Sequence, residues 1–174
     1  MKTRIAVLVS GGGTNLQALI DARDRGELPS GELALVVSNN AGAYALERAR
    51  KAGIPSATCL RAKGEKRADF EARLLEILRE KRIDMLILAG FMAILSADFV
   101  ANFPERIINV HPSLIPSFCG EGFYGLRVHQ AALDYGVKVT GATVHYVNEI
   151  PDGGRIIAQK AVDVLPGDER VALV

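Results

Sequence analysis

The chain has no tryptophan, only two cysteines and three histidines, and no surplus of charge of either sign. Each shortage closes off a class of function. Cys59 and Cys119 are too few for a disulfide framework. His111, His129 and His145 lack the spacing of a metal-ligand motif, so no metal is expected. A formal net charge of +1 provides no field to draw nucleic acid or an anionic membrane. No basic run carries interleaved aromatics, and neither a nucleic acid nor a membrane is expected as partner. No apolar run is long enough to span a bilayer. Lys2 and Arg4 precede an apolar run too short for a signal peptide, and Ser10-Gly11-Gly12-Gly13 follows without a cleavage-like pattern. A cytoplasmic location is therefore expected.

What is present is 174 residues, 49% hydrophobic and 24% charged, which reads as one soluble domain over 1–174 with a real core. Arg4 to Val9 is a continuous run typical of a strand covered on both faces. Glu32 to Ser38, Ser56 to Leu60 and Met85 to Ala89 read as further strands. Tyr44 to Ala52 reads as a helix stopped by Gly53 and Pro55. Lys66 to Lys81 is the clearest helix, with Phe70, Leu74, Ile77 and Leu78 at spacings of three and four and the charges on a solvated face. Arg67, in its first turn, is a candidate for a ligand carboxylate. Gly90 to Leu95 is an apolar loop, and Ser96 caps a helix through Ala101. Lys138 to Asn148 alternates as a strand, Pro151-Asp152-Gly153-Gly154 turns, and Arg155 to Val164 returns. Strands and helices alternate over most of the chain. The expected fold is α/β, a three-layer, mostly parallel, Rossmann-like sheet with an antiparallel C-terminal edge.

Three stretches carry candidate chemistry. Ser10-Gly11-Gly12-Gly13-Thr14-Asn15 lies between a strand and a helix, where backbone N–H groups and the helix N-terminus suit an oxyanion. It has neither the Gly-Lys-Ser/Thr of a nucleotide loop nor the last glycine of a dinucleotide fingerprint, because Leu16 stands there. A single phosphate monoester fits better. The plainer reading is a tight turn capped by Thr14 or Asn15. Arg106 to Val110 reads as a buried strand with Asn109 and His111 at its carboxyl end, where ligands bind in open α/β sheets. An imidazole beside an amide offers an acid/base group and a fixed dipole. Pro112 to Leu126 has no period and is long for a structureless loop in a compact domain, which points to function. Taken locally, Asp152 is a turn residue, and His129 and His145 are structural or solvent-facing. Cys119 has no dedicated base.

Ser-Gly-Gly-Gly-Thr-Asn-Leu-Gln-Ala, Ala-Gly-Phe-Met-Ala-Ile-Leu, Asn-Val-His-Pro-Ser-Leu-Ile-Pro, Gly-Ala-Thr-Val-His and Pro-Asp-Gly-Gly occur in this order. Together, over nearly the whole chain, they resemble the folate-dependent formyltransferases, and the glycine loop resembles that of the glycinamide ribonucleotide branch. The resemblance implies formyl transfer from 10-formyltetrahydrofolate, as co-substrate, to the amine of glycinamide ribonucleotide in purine synthesis. It implies that Gly13, Thr14 and Asn15 hold the phosphoribosyl substrate. Met92, Ala93, Ile94 and Leu95 would line the folate ring pocket, with Arg67 also on the folate. His111 would be the general acid, Asn109 would hydrogen-bond the formyl oxygen, and Asp152 would hold and charge His111. Ala93 stands where many relatives have Arg. Such relatives continue past Gly167-Asp168 into a C-terminal helix, whereas Glu169 to Val174 is all that follows here, so a form without that helix is expected. The expected partners are small molecules, with a monomer or homodimer as the assembly. Two other readings stay open: a formyltetrahydrofolate hydrolase or other formyltransferase, which would not need Gly11 to Asn15, and a non-catalytic phosphate-ligand binding module.

Overall fold

The computed structural model describes residues 1–169. It divides into two compact units, one from Met1 to Ile107 and one from Ile108 onward.

The first unit contains β1 (Thr3–Val9), α1 (Thr14–Asp24), β2 (Gly31–Ser38), α2 (Tyr44–Lys51), β3 (Ser56–Thr58), α3 (Arg67–Glu80), β4 (Met85–Leu88) and α4 (Ala97–Val100). Successive strands are joined through helices, so they run the same way. β1 pairs in parallel with β2 and β4, and β2 with β3. The apolar runs are explained by where they lie. Ala6 to Val9 have no exposed surface, and Leu33 to Val37 and Leu86 are buried beside them.

The helix ends follow local chemistry. Ser96 caps α4 by accepting from the N–H of Phe99, as its position before an apolar turn predicts. The cap of α1 differs from the expectation. Gly13 is the N-cap residue, at φ 73°, with no side-chain cap, and Thr14 and Asn15 lie inside the helix. A side chain at Gly13 is excluded because a Cβ there would lie 2.6 Å from the Cβ of Ala45. In α3, Phe70, Leu74 and Leu78 are buried as the spacing predicts, but Glu71 is buried with them. Its carboxylate accepts from Ser96 N–H at 2.7 Å and from the Ser96 hydroxyl. Glu71 is therefore not part of a solvated face. It falls three and seven residues before Leu74 and Leu78, which is the same helical stripe.

The second unit holds most of β5 (Ile107–His111), then α5 (Leu126–Tyr135), β6 (Val139–Tyr146) and β7 (Ile156–Asp163). β6 pairs antiparallel with both β5 and β7. The antiparallel part thus begins one strand earlier than the sequence suggests, and β5 is buried at its two ends, Ile107 and His111. The strand order is β3-β2-β1-β4 in the first unit and β5-β6-β7 in the second, an α/β fold with parallel strands first and antiparallel C-terminal strands. β7, the edge strand, is exposed along its whole length. Residues 112–125, between β5 and α5, contain neither helix nor strand. Side chains hold this segment: Thr143 Oγ1 donates to Ser113 O at 2.6 Å and accepts from Ile115 N at 3.0 Å.

Candidate functional site

In the second unit, the β5–β6 register sets Asn109 opposite His145 and His111 opposite Thr143. Residues two apart on a strand share a face, so all four side chains lie on one side. His111 is buried, with Nδ1 3.4 Å from Asp152 Oδ2 and Nε2 2.9 Å from Phe118 O. Each ring nitrogen thus faces an acceptor, a pattern that only the imidazolium satisfies fully. Asp152 holds φ 55° in its turn, and its carboxylate also accepts from Gly120 N–H at 2.9 Å. Burial pushes this carboxyl up, but the His145 ring, the Gly120 N–H and the His111 ring outweigh it and hold Asp152 below the usual carboxylate range. The turn expected from the sequence is therefore present and aims its carboxylate at a histidine about forty residues away in the sequence.

His145 is the residue that sequence reasoning passed over. It is buried, with Nδ1 2.8 Å from Tyr146 O and Nε2 3.1 Å from Asn109 Nδ2. A carbonyl cannot donate, so Nδ1 carries a proton, while Nε2 lies between the Asn109 amide and the Asp152 carboxylate, 3.7 Å from Asp152 Oδ1. The Asn109 amide is held against His145, and among the described residues Asn109 Nδ2 meets no other hydrogen-bond partner. The signal was present in the alternation of β6, which put Thr143 and His145 on one face. What was missing was the register that brings Asn109 against that face.

His129, on α5, is buried and its Nδ1 has no hydrogen-bond partner among the described residues. Burial, and secondarily the His111 charge, hold its pKa below that of an ordinary histidine. The folded protein resists a proton that the unfolded chain accepts near pH 6.5, so His129 costs stability as pH falls through that value. We expect the unfolding free energy from urea titration to drop more between pH 8 and pH 5.5 in the wild type than in His129→Leu. Equal slopes would contradict this. Cys119 stays a thiol: burial and the nearby Asp152 charge both raise its pKa.

In the first unit, the glycine loop follows β1 and is exposed at Gly11, Gly12, Thr14 and Asn15. Its carbonyls are all occupied. Ser10 O accepts from Asn40 Nδ2 at 3.2 Å, Gly11 O from Ala45 N at 3.1 Å, Gly12 O from Arg48 Nε at 2.8 Å and Gly13 O from Gln17 N at 2.9 Å. Among the described residues, no acceptor meets the N–H groups of Gly11, Gly12 or Gly13. Consecutive unpaired N–H groups leading into a helix N-terminus form an anion nest. The apolar loop after β4 lies beside it, since Met92 N–H donates to Ser10 Oγ at 2.8 Å. Met92 and Ile94 are exposed, Ala93 is half-buried and Leu95 is buried. Apolar side chains alternating outward beside an anion nest suit a flat ligand with an ionic neighbour. Arg67 opens α3 on the surface, with no ion-pair partner among the described residues. No cluster of three or more potential metal ligands occurs among the described residues, and no helix there is long and apolar enough to cross a membrane.

The Formyl transferase family matches residues 3–174. The chain belongs to this family. It is 42% identical over 165 residues to the phosphoribosylglycinamide formyltransferase of Haemophilus influenzae, covering 95% of this chain and 75% of that protein. It is 47% identical over 173 residues to the trifunctional purine biosynthetic protein adenosine-3 of Drosophila pseudoobscura, covering 99% of this chain and 12% of that protein. The crystal structure of glycinamide ribonucleotide transformylase 1 from Symbiobacterium toebii superimposes with a TM-score of 0.91 at 44% identity, over 99% of this chain and 78% of that one. Membership at this similarity places the chain in the glycinamide ribonucleotide branch of the formyl transferases, the branch its glycine loop resembles. The chain spans about an eighth of the trifunctional relative and three quarters of the bacterial one. Within the family's C-terminal region, Arg170 to Val174 lie outside the described residues, and with them most of the shortened end that the sequence suggests.

Proposed function

We propose that this chain catalyses transfer of a formyl group from 10-formyltetrahydrofolate to the amine of N1-(5-phospho-D-ribosyl)glycinamide, a step of purine biosynthesis leading to IMP. The observation that carries the reading is the His111–Asp152 pair beside an Asn109 amide already oriented by His145. Similarity to proteins named for this activity supports it.

The reaction joins the amine nitrogen to the formyl carbon and breaks the bond from that carbon to the folate nitrogen. The amine loses one proton and the folate nitrogen gains one. Asn109 supplies its amide N–H to the charge that develops on the formyl oxygen. His111 supplies the proton to the leaving nitrogen. Asp152 holds that imidazole through the Nδ1 side and takes up, through water, the proton that the amine loses. In this structure the Nε2 proton is engaged by Phe118 O, so turnover exchanges that acceptor for the folate nitrogen. Gly13, Thr14 and Asn15 hold the phosphate of the ribonucleotide with the neighbouring glycine N–H groups. Met92, Ala93, Ile94 and Leu95 pack the folate ring, and the Arg67 cation pairs with a folate carboxylate. We place the reaction in the cytoplasm, between small soluble substrates and without a metal, by a monomer or homodimer.

The test is the fate of a ¹³C-labelled formyl carbon. Label recovered on the ribonucleotide amine supports transfer. Label recovered only as formate supports a hydrolase, and binding of both substrates without movement of label supports a non-catalytic module.

A further inference from the structure

We propose that Arg48 is a positioning residue for the anion nest: it orients the Gly12–Gly13 peptide so that the Gly13 N–H faces the substrate phosphate. The inference rests on the phosphate reading of the glycine loop. In a trans peptide the C=O and N–H point in opposite directions, so whatever captures the carbonyl aims the N–H. The carbonyls of Ser10, Gly11 and Gly12 are captured by Asn40, Ala45 and Arg48 respectively. All three donors come from residues 40–48, in and just before α2, so the N–H groups of Gly11, Gly12 and Gly13 are turned away from that side. Arg48 is the one charged donor of the three, and a charge-assisted hydrogen bond is the strongest available.

The guanidinium is itself held in place. Its Nη1 donates to Gln17 Oε1 at 2.9 Å, and Gln17 Nε2 donates to Asp21 Oδ1 at 2.8 Å. It lies 5.1 Å from the centre of the Tyr44 ring. Arg48 Cδ would be 3.4 Å from a Cβ on Gly13, so the side chain runs directly beneath the loop. Arg48 forms no salt bridge with a carboxylate among the described residues, which leaves its charge behind the nest, where it favours an anion on the open face. A lysine would keep the charge but lose the two-armed fork.

The experiment is calorimetric titration with ribose 5-phosphate, joined to steady-state kinetics with the full ribonucleotide. Arg48→Gln is expected to weaken ribose 5-phosphate binding about tenfold or more and to raise KM far more than it lowers kcat. Arg48→Lys is expected to fall between Arg48→Gln and the wild type. Gln17→Ala, which removes one arm and leaves the loop contact, is expected to weaken binding by a smaller factor, and it serves if Arg48→Gln fails to fold. Wild-type affinity in Arg48→Gln, or in Gln17→Ala where that variant stands in, overturns the role of Arg48. Failure of the wild-type protein to bind ribose 5-phosphate overturns the phosphate reading itself.

Discussion

His111→Ala is expected to lower kcat by about 10²–10⁴-fold, the range for removal of a positioned acid/base group. Substrate affinity is expected to change little, because the ring is buried and its nitrogens are committed to Asp152 and Phe118. The two effects separate in single-turnover measurements at saturating substrate, with thermal melting run alongside. Asp152→Asn keeps an acceptor for Gly120 N–H and for the His111 ring but removes the carboxylate charge beside that ring, so it is expected to cost less than His111→Ala. Asp152→Asn has a second signature in acid. The native carboxyl titrates below its unfolded value of about 3.9, so its contribution to stability is present above that pH and lost as pH falls through the native value. The variant therefore loses stability less steeply in that acid range. A His111→Ala protein with wild-type turnover would remove the histidine from the chemistry.

Gly154→Ala is expected to be the most damaging glycine substitution at the site. An added Cβ would lie far inside contact distance of Tyr146 O and 2.6 Å from the carbonyl carbon. Both atoms are backbone and neither can swing aside. That same carbonyl accepts the Nδ1 proton of His145, which in turn fixes the Asn109 amide. Forcing the turn away from β6 therefore disturbs Asp152, His145 and Asn109 together. We expect a loss of about 1–3 kcal/mol in unfolding free energy, as for other overpacked sites, and a fall in turnover that persists well below the melting temperature. Gly153→Ala, whose Cβ would meet the Ile150 side chain, is the milder comparison. Wild-type stability and turnover in Gly154→Ala would show that the turn tolerates displacement.

The sequence was most legible where one element decides its own structure. The β1 run is apolar because both faces are covered, and the stripe of α3 is apolar because one face is. The Ser96 cap of α4 is equally local. Legibility failed where the partner is distant. Glu71 looked solvated because its two donors come from Ser96, twenty-five residues on. Thr14 and Asn15 looked like caps because the crowding of Gly13 by Ala45 cannot be read from the loop alone. Asp152 looked like a turn residue and is one. Its approach to His111 depends on the pairing of β5 with β6, which strand alternation leaves unspecified. The resemblance of short motifs to a known family bridged that gap for Asp152. For His145 it supplied no role, and only the register revealed its place.

The most direct measurement is the rate at which tetrahydrofolate appears from 10-formyltetrahydrofolate, with and without glycinamide ribonucleotide, using this 174-residue chain. Formyl transfer predicts release that depends on the ribonucleotide and matches it one for one. Release at the same rate without the ribonucleotide, or none with it, would contradict that claim.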